Sequence, residues 1–359
     1  MDPHTGIWGT VMCPDDAFLQ KALPEAALDP ERPIIDTHLH LWNLFSGHPY
    51  LVPEHARDIA ASGHNVSGSV YVECGAFYRA DGPEHLRPVG ETEFAVGQAA
   101  IAASGVFTRS QVAQGIVAFA DLKLGARVEE TLVAHRDAAN GRLRGVRQRA
   151  KWDADPVVKG KWSEDQPYLY LSKPFTEGLA RLTAMGLSFD ASIYHPQIPD
   201  VTAMARANPD ANIVMIHSAS PVGHSSYAGR DAENHANWLA WMKELATCPN
   251  VSVKMGGILM NVANWDFTKA ARPLNSEELA ALWRPWIEPC IEFFGAERCM
   301  ASSNFPVDRV GFPYGTVWNM FKRITAGCSE DEKRLIYSGT AQRVYRLDPG
   351  SGSDQVPLS

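Results

Sequence analysis

The chain has 359 residues, 45% hydrophobic and 21% charged, enough core for two ordinary domains or one large α/β barrel. Its formal net charge of −8 argues against nucleic acid or an anionic membrane as the main partner. The six cysteines, Cys13, Cys74, Cys248, Cys290, Cys299 and Cys328, are scattered without a Cys-x-x-Cys pair. That spacing fits buried thiols in a reducing cytosol better than a disulfide framework or a cysteine zinc site. The opening MDPHTGIWGTVMCPDD lacks a basic flank and an apolar h-region, so no signal peptide is expected. No apolar run approaches the roughly 18 residues of a membrane span, and the expectation is a cytoplasmic protein.

In chain order, residues 1–32 read as an irregular lead-in punctuated by Pro3, Pro14, Pro24 and Pro33. Short apolar runs then predict strands at Ile34–His38, Ser69–Cys74, Gly115–Ala120, Leu143–Arg147, Ser188–Tyr194, Asn212–His217, Asn250–Met255 and Arg298–Ser303. Apolar spacing at i, i+3 and i+4 predicts helices at Glu91–Ala103, Val128–Ala139, Phe175–Met185, Ile198–Asn208, Glu233–Ala246, Ser276–Phe294, Pro313–Ala326 and Asp331–Tyr345. The tail 348–359 (DPGSGSDQVPLS) has the composition of a disordered segment. This alternation is that of a (β/α)₈ TIM barrel, one domain over residues 33–347. A doubly wound open sheet is the alternative, but no Gly-x-Gly-x-x-Gly turn is present. The long segments Gly75–Pro88, Arg149–Lys173, Ser218–Ala232, Gly256–Asn275 and Asn304–Phe312 all follow strands. In a barrel that places them on the C-terminal face, where such enzymes carry their active sites.

Ile34-Ile35-Asp36-Thr37-His38-Leu39-His40 reads as a buried strand leaving a core. Strict alternation would put Asp36, His38 and His40 on one face and Ile35, Thr37 and Leu39 on the other. Two imidazoles about 7 Å apart can meet on a metal ion or a substrate oxygen; two satisfied histidines at a strand end are the plainer alternative. Other polar side chains gather at strand C-termini: Glu73, Arg147, Gln148, Arg149, His195, His217, Lys254 and Asn304, with Asp308 and Arg309 just beyond. Singly, each could be structural: Lys254 could snorkel, and Arg147 could brace a loop. Together, four histidines and three cations on the rim of a net-acidic protein point to a site for a small anionic substrate. Lys254 could then face a substrate carboxylate or charge developing on oxygen, and Arg147 could clamp a carboxylate.

The ordered set IIDTHLHLW, YHPQ, MIHSASPVG, VSVKMGG and MASSNFPVDR resembles the amidohydrolase superfamily. It is most similar to the amidohydrolase-2 type that includes sugar-acid lactonases and 2-pyrone-4,6-dicarboxylate lactonase. The resemblance runs from about residue 33 to 347 and implies a (β/α)₈ barrel that hydrolyses a lactone or related ester-like bond with an activated water. It implies that His38, His40, His195 and His217 are the metal-site histidines. The strand-eight position, usually Asp, is Asn304 here; an amide can orient a water but lacks a basic site to deprotonate it. Strand four departs too, with Arg147-Gln148 where related chains often carry Arg-His.

Two mechanisms stay open. In one, the histidines hold a divalent ion, zinc first on ligand type, and Asp308, Glu73 or a non-ligating histidine is the base. In the other, no metal binds, and the histidines and Lys254 polarise the carbonyl directly. No organic cofactor is implied. A sister branch decarboxylates aromatic or unsaturated acids with a metal, and that is the alternative activity; a binding barrel that has lost catalysis is a third reading, prompted by Asn304. Glu73, Arg147, Gln148 and Arg309 are the expected substrate contacts and His195, His217, Lys254, Asn304 and Asp308 the expected catalytic set. Glu91 and Glu93 are expected to brace or cap the following helix. Arg149–Lys173, with Trp152 and Trp162, could form a lid or a static interface segment. The sequence leaves the oligomeric state open, a homo-oligomer included.

Overall fold

The structure, a computed structural model, describes residues 11–159, 164, 166–257 and 269–347. The tail 348–359, the first ten residues of the lead-in and parts of the two loops Arg149–Lys173 and Gly256–Asn275, Trp162 included, lie outside the described residues.

Eight parallel strands pair in chain order. They are β1 (Ile34–Leu39), β2 (Val66–Val72), β3 (Gln111–Ala118), β4 (Leu143–Arg149), β5 (Ser188–Ser192), β6 (Asn212–Met215), β7 (Val251–Met255) and β8 (Cys299–Ala301). The ring closes just past the short β8. The Asn304 amide donates to the His38 carbonyl at 3.0 Å, the His40 amide to the Phe305 carbonyl at 2.7 Å, and the Thr37 hydroxyl to the Ala301 carbonyl at 2.9 Å. The fold is a (β/α)₈ barrel, and the closing bonds seat Asn304 beside both strand-one histidines.

Helices follow each strand on the outside. A one-turn α1 (Asp16–Leu19) in the lead-in is capped by Asp15; next come α2 (Val52–Ser62), α3 (Val89–Ala103) and α4 (Val128–Ala138). After β4 a short α5 (Pro156–Lys159) precedes α6 (Lys173–Ala184), and α7 (Ile198–Ala207), α8 (Asp231–Leu245), α9 (Ser276–Phe294) and α10 (Tyr314–Ile324) continue round. Helix α2 is absent from the sequence reading, although Pro53 in its first turn and the left-handed Gly63 (φ 66°) that stops it are ordinary punctuation. The single helix expected over Asp331–Tyr345 is instead α11 (Glu330–Arg334), a π turn (Leu335–Gly339) and α12 (Thr340–Val344).

The core has two layers. Between sheet and helices lie Ile34, Leu39, Ile116, Phe189, Ile213, Val253 and their neighbours. Inside the barrel, Ile35, Val70, Val72, Val117, Val214, Ile216 and Met300 meet Val344, Tyr345 and Leu347, which enter from the end opposite the strand C-termini. The chain's last described residues thus plug the barrel floor and leave the other end for chemistry.

Candidate active site

Strand parity decides which side chains face the barrel interior, and on β1 the simple count fails. Asp36 pairs with Ser69 and Leu39 with Tyr71, so three steps on β1 match two on β2. This bulge shifts the phase. Ile35 lies inside with Val70 and Val72, and Asp36 turns to the helix layer, where the Tyr314 hydroxyl of α10 donates to it at 3.0 Å together with the Ser303 amide and hydroxyl. The expectation that Asp36 shares a face with His38 and His40 is therefore corrected. Asp36 ties β1 to β8 and α10. Burial raises its pKa, opposed by the bonds from Ser303, His38 and Tyr314.

Past the bulge, His38 and His40 meet His217. The His38 ring centroid lies 4.9 Å from that of His40 and 4.5 Å from that of His217, and all three side chains are buried. His40 Nδ1 donates to the Val72 carbonyl at 2.7 Å, which leaves Nε2 with its lone pair, and its ring stacks on Trp42. Arg147 Nη1 donates to His38 Nε2 at 3.3 Å. Burial, reinforced by nearby cations, lowers the pKa of all three, His40 to about 3, so the cluster is neutral at physiological pH. His217 gets there through strain. Alternation on β6 would turn it outward after Ile216, but His217 (φ 55°), Ser218 (46°), Ala219 (64°) and Ser220 (43°) are all left-handed. Such runs of non-glycine residues persist where the surroundings over-determine them.

Two buried ion pairs underlie the cluster. Arg147 Nε donates to Glu73 Oε1 at 2.7 Å and Nη2 to the Glu73 carbonyl, and Arg149 approaches the same carboxylate at 3.6 Å. The Arg147 fork, expected to clamp substrate, is thus largely engaged by Glu73. Burial pushes the Glu73 pKa up, but Arg147 and Arg149 prevail and hold it below the usual carboxylate range, which makes it a poor proton acceptor. Lys254, fully buried, donates to Asp190 Oδ2 at 2.7 Å, and the Tyr345 hydroxyl lies 2.9 Å from both Asp190 oxygens. Burial lowers the Lys254 pKa while Asp190 opposes.

Several expected residues stand apart. His195 Nδ1 accepts the Val222 amide at 3.1 Å, so Nε2 carries the proton of the neutral ring; the ring packs on Tyr227 and Trp241 at 5.4 and 6.2 Å. In that state neither nitrogen offers a lone pair to a metal. Gln148 braces the turn after β3, accepting from the Leu122 amide at 2.8 Å and donating to Asp121 at 2.8 Å. Arg309 reaches Asp16 at 3.0 Å and Asp58 at 3.5 Å, at the lead-in and α2. Asn304 (φ 58°) donates through Nδ2 to Asp308 Oδ1 at 2.9 Å, both side chains buried. Glu93 forms an exposed pair with Arg79, and Glu91 braces the loop after β2.

Asp190, Tyr345 and Lys151 also belong to the barrel interior, and no sequence motif marks them. Asp190 is a charge between Phe189 and Ala191 in an apolar strand, a signal that inward parity could have exposed. Glu91 sets a separate pH dependence. Burial, with Glu73 adding to it, raises its pKa to about 7 against bonds from Cys74 and Tyr71. An acid whose folded pKa is raised supports the fold fully below its unfolded value and loses that support as pH climbs through the folded value. Glu91→Gln should therefore gain stability relative to the parent between about pH 5 and pH 8, by up to a few kcal/mol in urea unfolding. Parallel unfolding curves at both pH values would refute this.

A parallel barrel with its polar cluster at the strand C-termini is the architecture of a barrel enzyme. Residues 35–347 match the family described as amidohydrolase, and the chain belongs to that family, an enzyme of hydrolytic type. It is 30% identical over 336 residues to the uncharacterized protein y4mH of Sinorhizobium fredii, covering 88% of this chain and 98% of that one. It is 26% identical to the L-fucono-1,5-lactonase of Burkholderia ambifaria over 337 residues, 90% and 98% of the two chains. A crystal structure of an amidohydrolase from Burkholderia multivorans with bound zinc superposes with a TM-score of 0.65 at 24% identity, covering 88% and 99%. Among the described residues no helix is long and apolar enough to cross a membrane.

Proposed function

We propose that this protein is a lactonase that opens the ring of a small anionic lactone by adding an activated water. The observation that carries the reading is the packed trio of neutral imidazoles, His38, His40 and His217, with Arg147 and Arg149 around it and the buried Lys254 beneath. Family membership and a relative of nearly the same length named L-fucono-1,5-lactonase support it. Neutral nitrogen donors also suit a divalent ion, zinc first, as in the zinc-bound relative. His217 Nδ1 is buried with no hydrogen-bond partner among the described residues, as an unused ligand nitrogen would be, whereas the His38 Nε2 lone pair accepts from Arg147 and would have to be released to reach an ion. As they stand, no three His, Cys, Asp or Glu side chains among the described residues converge as a ligand set, so the rings would turn to hold the ion. His38, His40 and His217 would hold it, and when bound it would polarise the carbonyl and acidify water.

The chain's own groups supply the rest. Asn304, its Nδ2 committed to Asp308, presents its amide oxygen to orient the water, and Asp308 is the proton acceptor we assign. Lys254 supports the cluster from below rather than meeting substrate, because Asp190 neutralises it. His195 fixes the loop after β6 through Val222.

A pH-indicator assay over a panel of acidic lactones should show ring opening, with His217→Ala slowing it by at least about 10²-fold. Elemental analysis should find about one zinc per chain, reduced in the same variant. Carbon dioxide release from an aromatic acid with no lactone opened would overturn the reading in favour of decarboxylation.

A further inference from the structure

Past the register shift at its start, β4 turns its even positions outward: Val146 and Ala150 join the outer core, and Gln148 braces the neighbouring turn. The odd positions, Arg147, Arg149 and Lys151, therefore project to the barrel interior. The ladder runs one step past the strand, the Ala150 amide donating to the Ser192 carbonyl at 2.9 Å, so Lys151 is held by regular backbone and not by a loose loop. Lys151 is 6% exposed, and its buried Nζ has no hydrogen-bond partner among the described residues. It lies 4.9 Å from the centroid of the Tyr194 ring. It is the next inward position after Arg149, whose guanidinium lies 3.6 Å from Glu73.

The other three cations are paired with carboxylates, and among the described residues Lys151 is not. Glu73 serves Arg147 and Arg149 together, and Asp190 serves Lys254. Among the described residues two arginines share the Glu73 carboxylate, and no carboxylate is paired with Lys151. A buried amine with no acceptor is costly, and burial together with Arg149 and Arg147 lowers its pKa to about 7. An arriving anion would relieve both.

We infer that Lys151, with Arg149 beside it, is the binding site for a carboxylate of the substrate distinct from the carbonyl that reacts. This rests on the lactonase reading and narrows it to lactones carrying an acid substituent. Tyr194, under the Nζ, supplies an aromatic face that tolerates a cation without competing for its hydrogen bonds.

The test compares γ-carboxy-γ-butyrolactone with its carboxamide, and in parallel the calorimetric affinity for the ring-opened 2-hydroxyglutarate with that for its amide. The parent protein should prefer the acid member of each pair by roughly 10–150-fold. Lys151→Met should collapse that preference through KM, Lys151→Arg should restore part of it, and the melting temperature of Lys151→Met should stay level or rise. An unchanged acid-to-amide ratio in Lys151→Met, or none in the parent, overturns the inference. Because the calorimetry needs no turnover, a failure of ring opening alone counts against the lactonase reading and leaves the Lys151 result to be read separately.

Discussion

Asp190→Asn should cost about 3–5 kcal/mol of folding stability, because it strips the counter-charge from a lysine with no access to water. Lys254 and Asp190 are both fully buried, 2.7 Å apart, and the Tyr345 hydroxyl closes over the carboxylate. The pair's net worth against an apolar replacement is small, since two charges had to leave water to form it; removing one partner is what is expensive. The loss should depend on pH. With Asp190 gone, the folded-state pKa of Lys254, already lowered by burial, falls further below its unfolded value. A base with a depressed folded pKa destabilises the fold most at low pH, and the deficit shrinks as pH rises toward the unfolded value. Urea unfolding should thus show the variant recovering toward the parent in alkaline buffer. Lys254→Met in the same chain should recover much of the loss at neutral pH. Should Asp190→Asn not fold, Tyr345→Phe deletes only the hydroxyl and should cost about 1 kcal/mol. A parent-like midpoint for Asp190→Asn at neutral pH would show that Lys254 does not depend on this carboxylate.

The strands were legible because inward and outward neighbours in a barrel are both apolar and the runs are bounded by turn residues. The site was legible only as far as alternation holds. On β5, Phe189 and Ala191 join the outer core, so Asp190 and Ser192 take the inner face, while His195 lies past the strand in a 3-10 turn where the count no longer applies. The inward place of Asp190 could be counted from the sequence; the orientation of His195, beyond the strand, could not. On β1 the count misleads: the bulge between Asp36 and Leu39 exchanges faces, and nothing in Asp-Thr-His-Leu marks it. At His217 the chain leaves β geometry altogether, through four successive left-handed residues that neither composition nor periodicity encodes. Charge pairing was hidden for another reason. Glu73 and Arg147 are 74 residues apart and Asp190 and Lys254 are 64 apart, so which cation is neutralised, and that Lys151 has no partner among the described residues, depends on tertiary placement.

The strained His217 segment leads to a large expected effect on activity at a residue with no side chain. Gly257 follows β7 with φ +69°, and a Cβ there would lie 2.0 Å from His217 Nδ1 and 2.4 Å from its Cγ. Both are far inside van der Waals contact, and the ring is already confined by His38 at 4.5 Å. Gly257→Ala therefore has to displace the imidazole by an ångström or more, and a misplacement of about 1 Å can lower turnover 10²-fold. The left-handed backbone adds a cost of about 1–2 kcal/mol in stability. Gly186, also at φ +69° but with open space around its Cβ position, separates the two contributions. Gly186→Ala should lose the same stability and keep full activity, while Gly257→Ala should lose about 10²-fold in kcat against any substrate the parent turns over. Equal activities in the two variants would mean that the reaction does not need His217 where the left-handed turn puts it, and the imidazole trio would lose its third member.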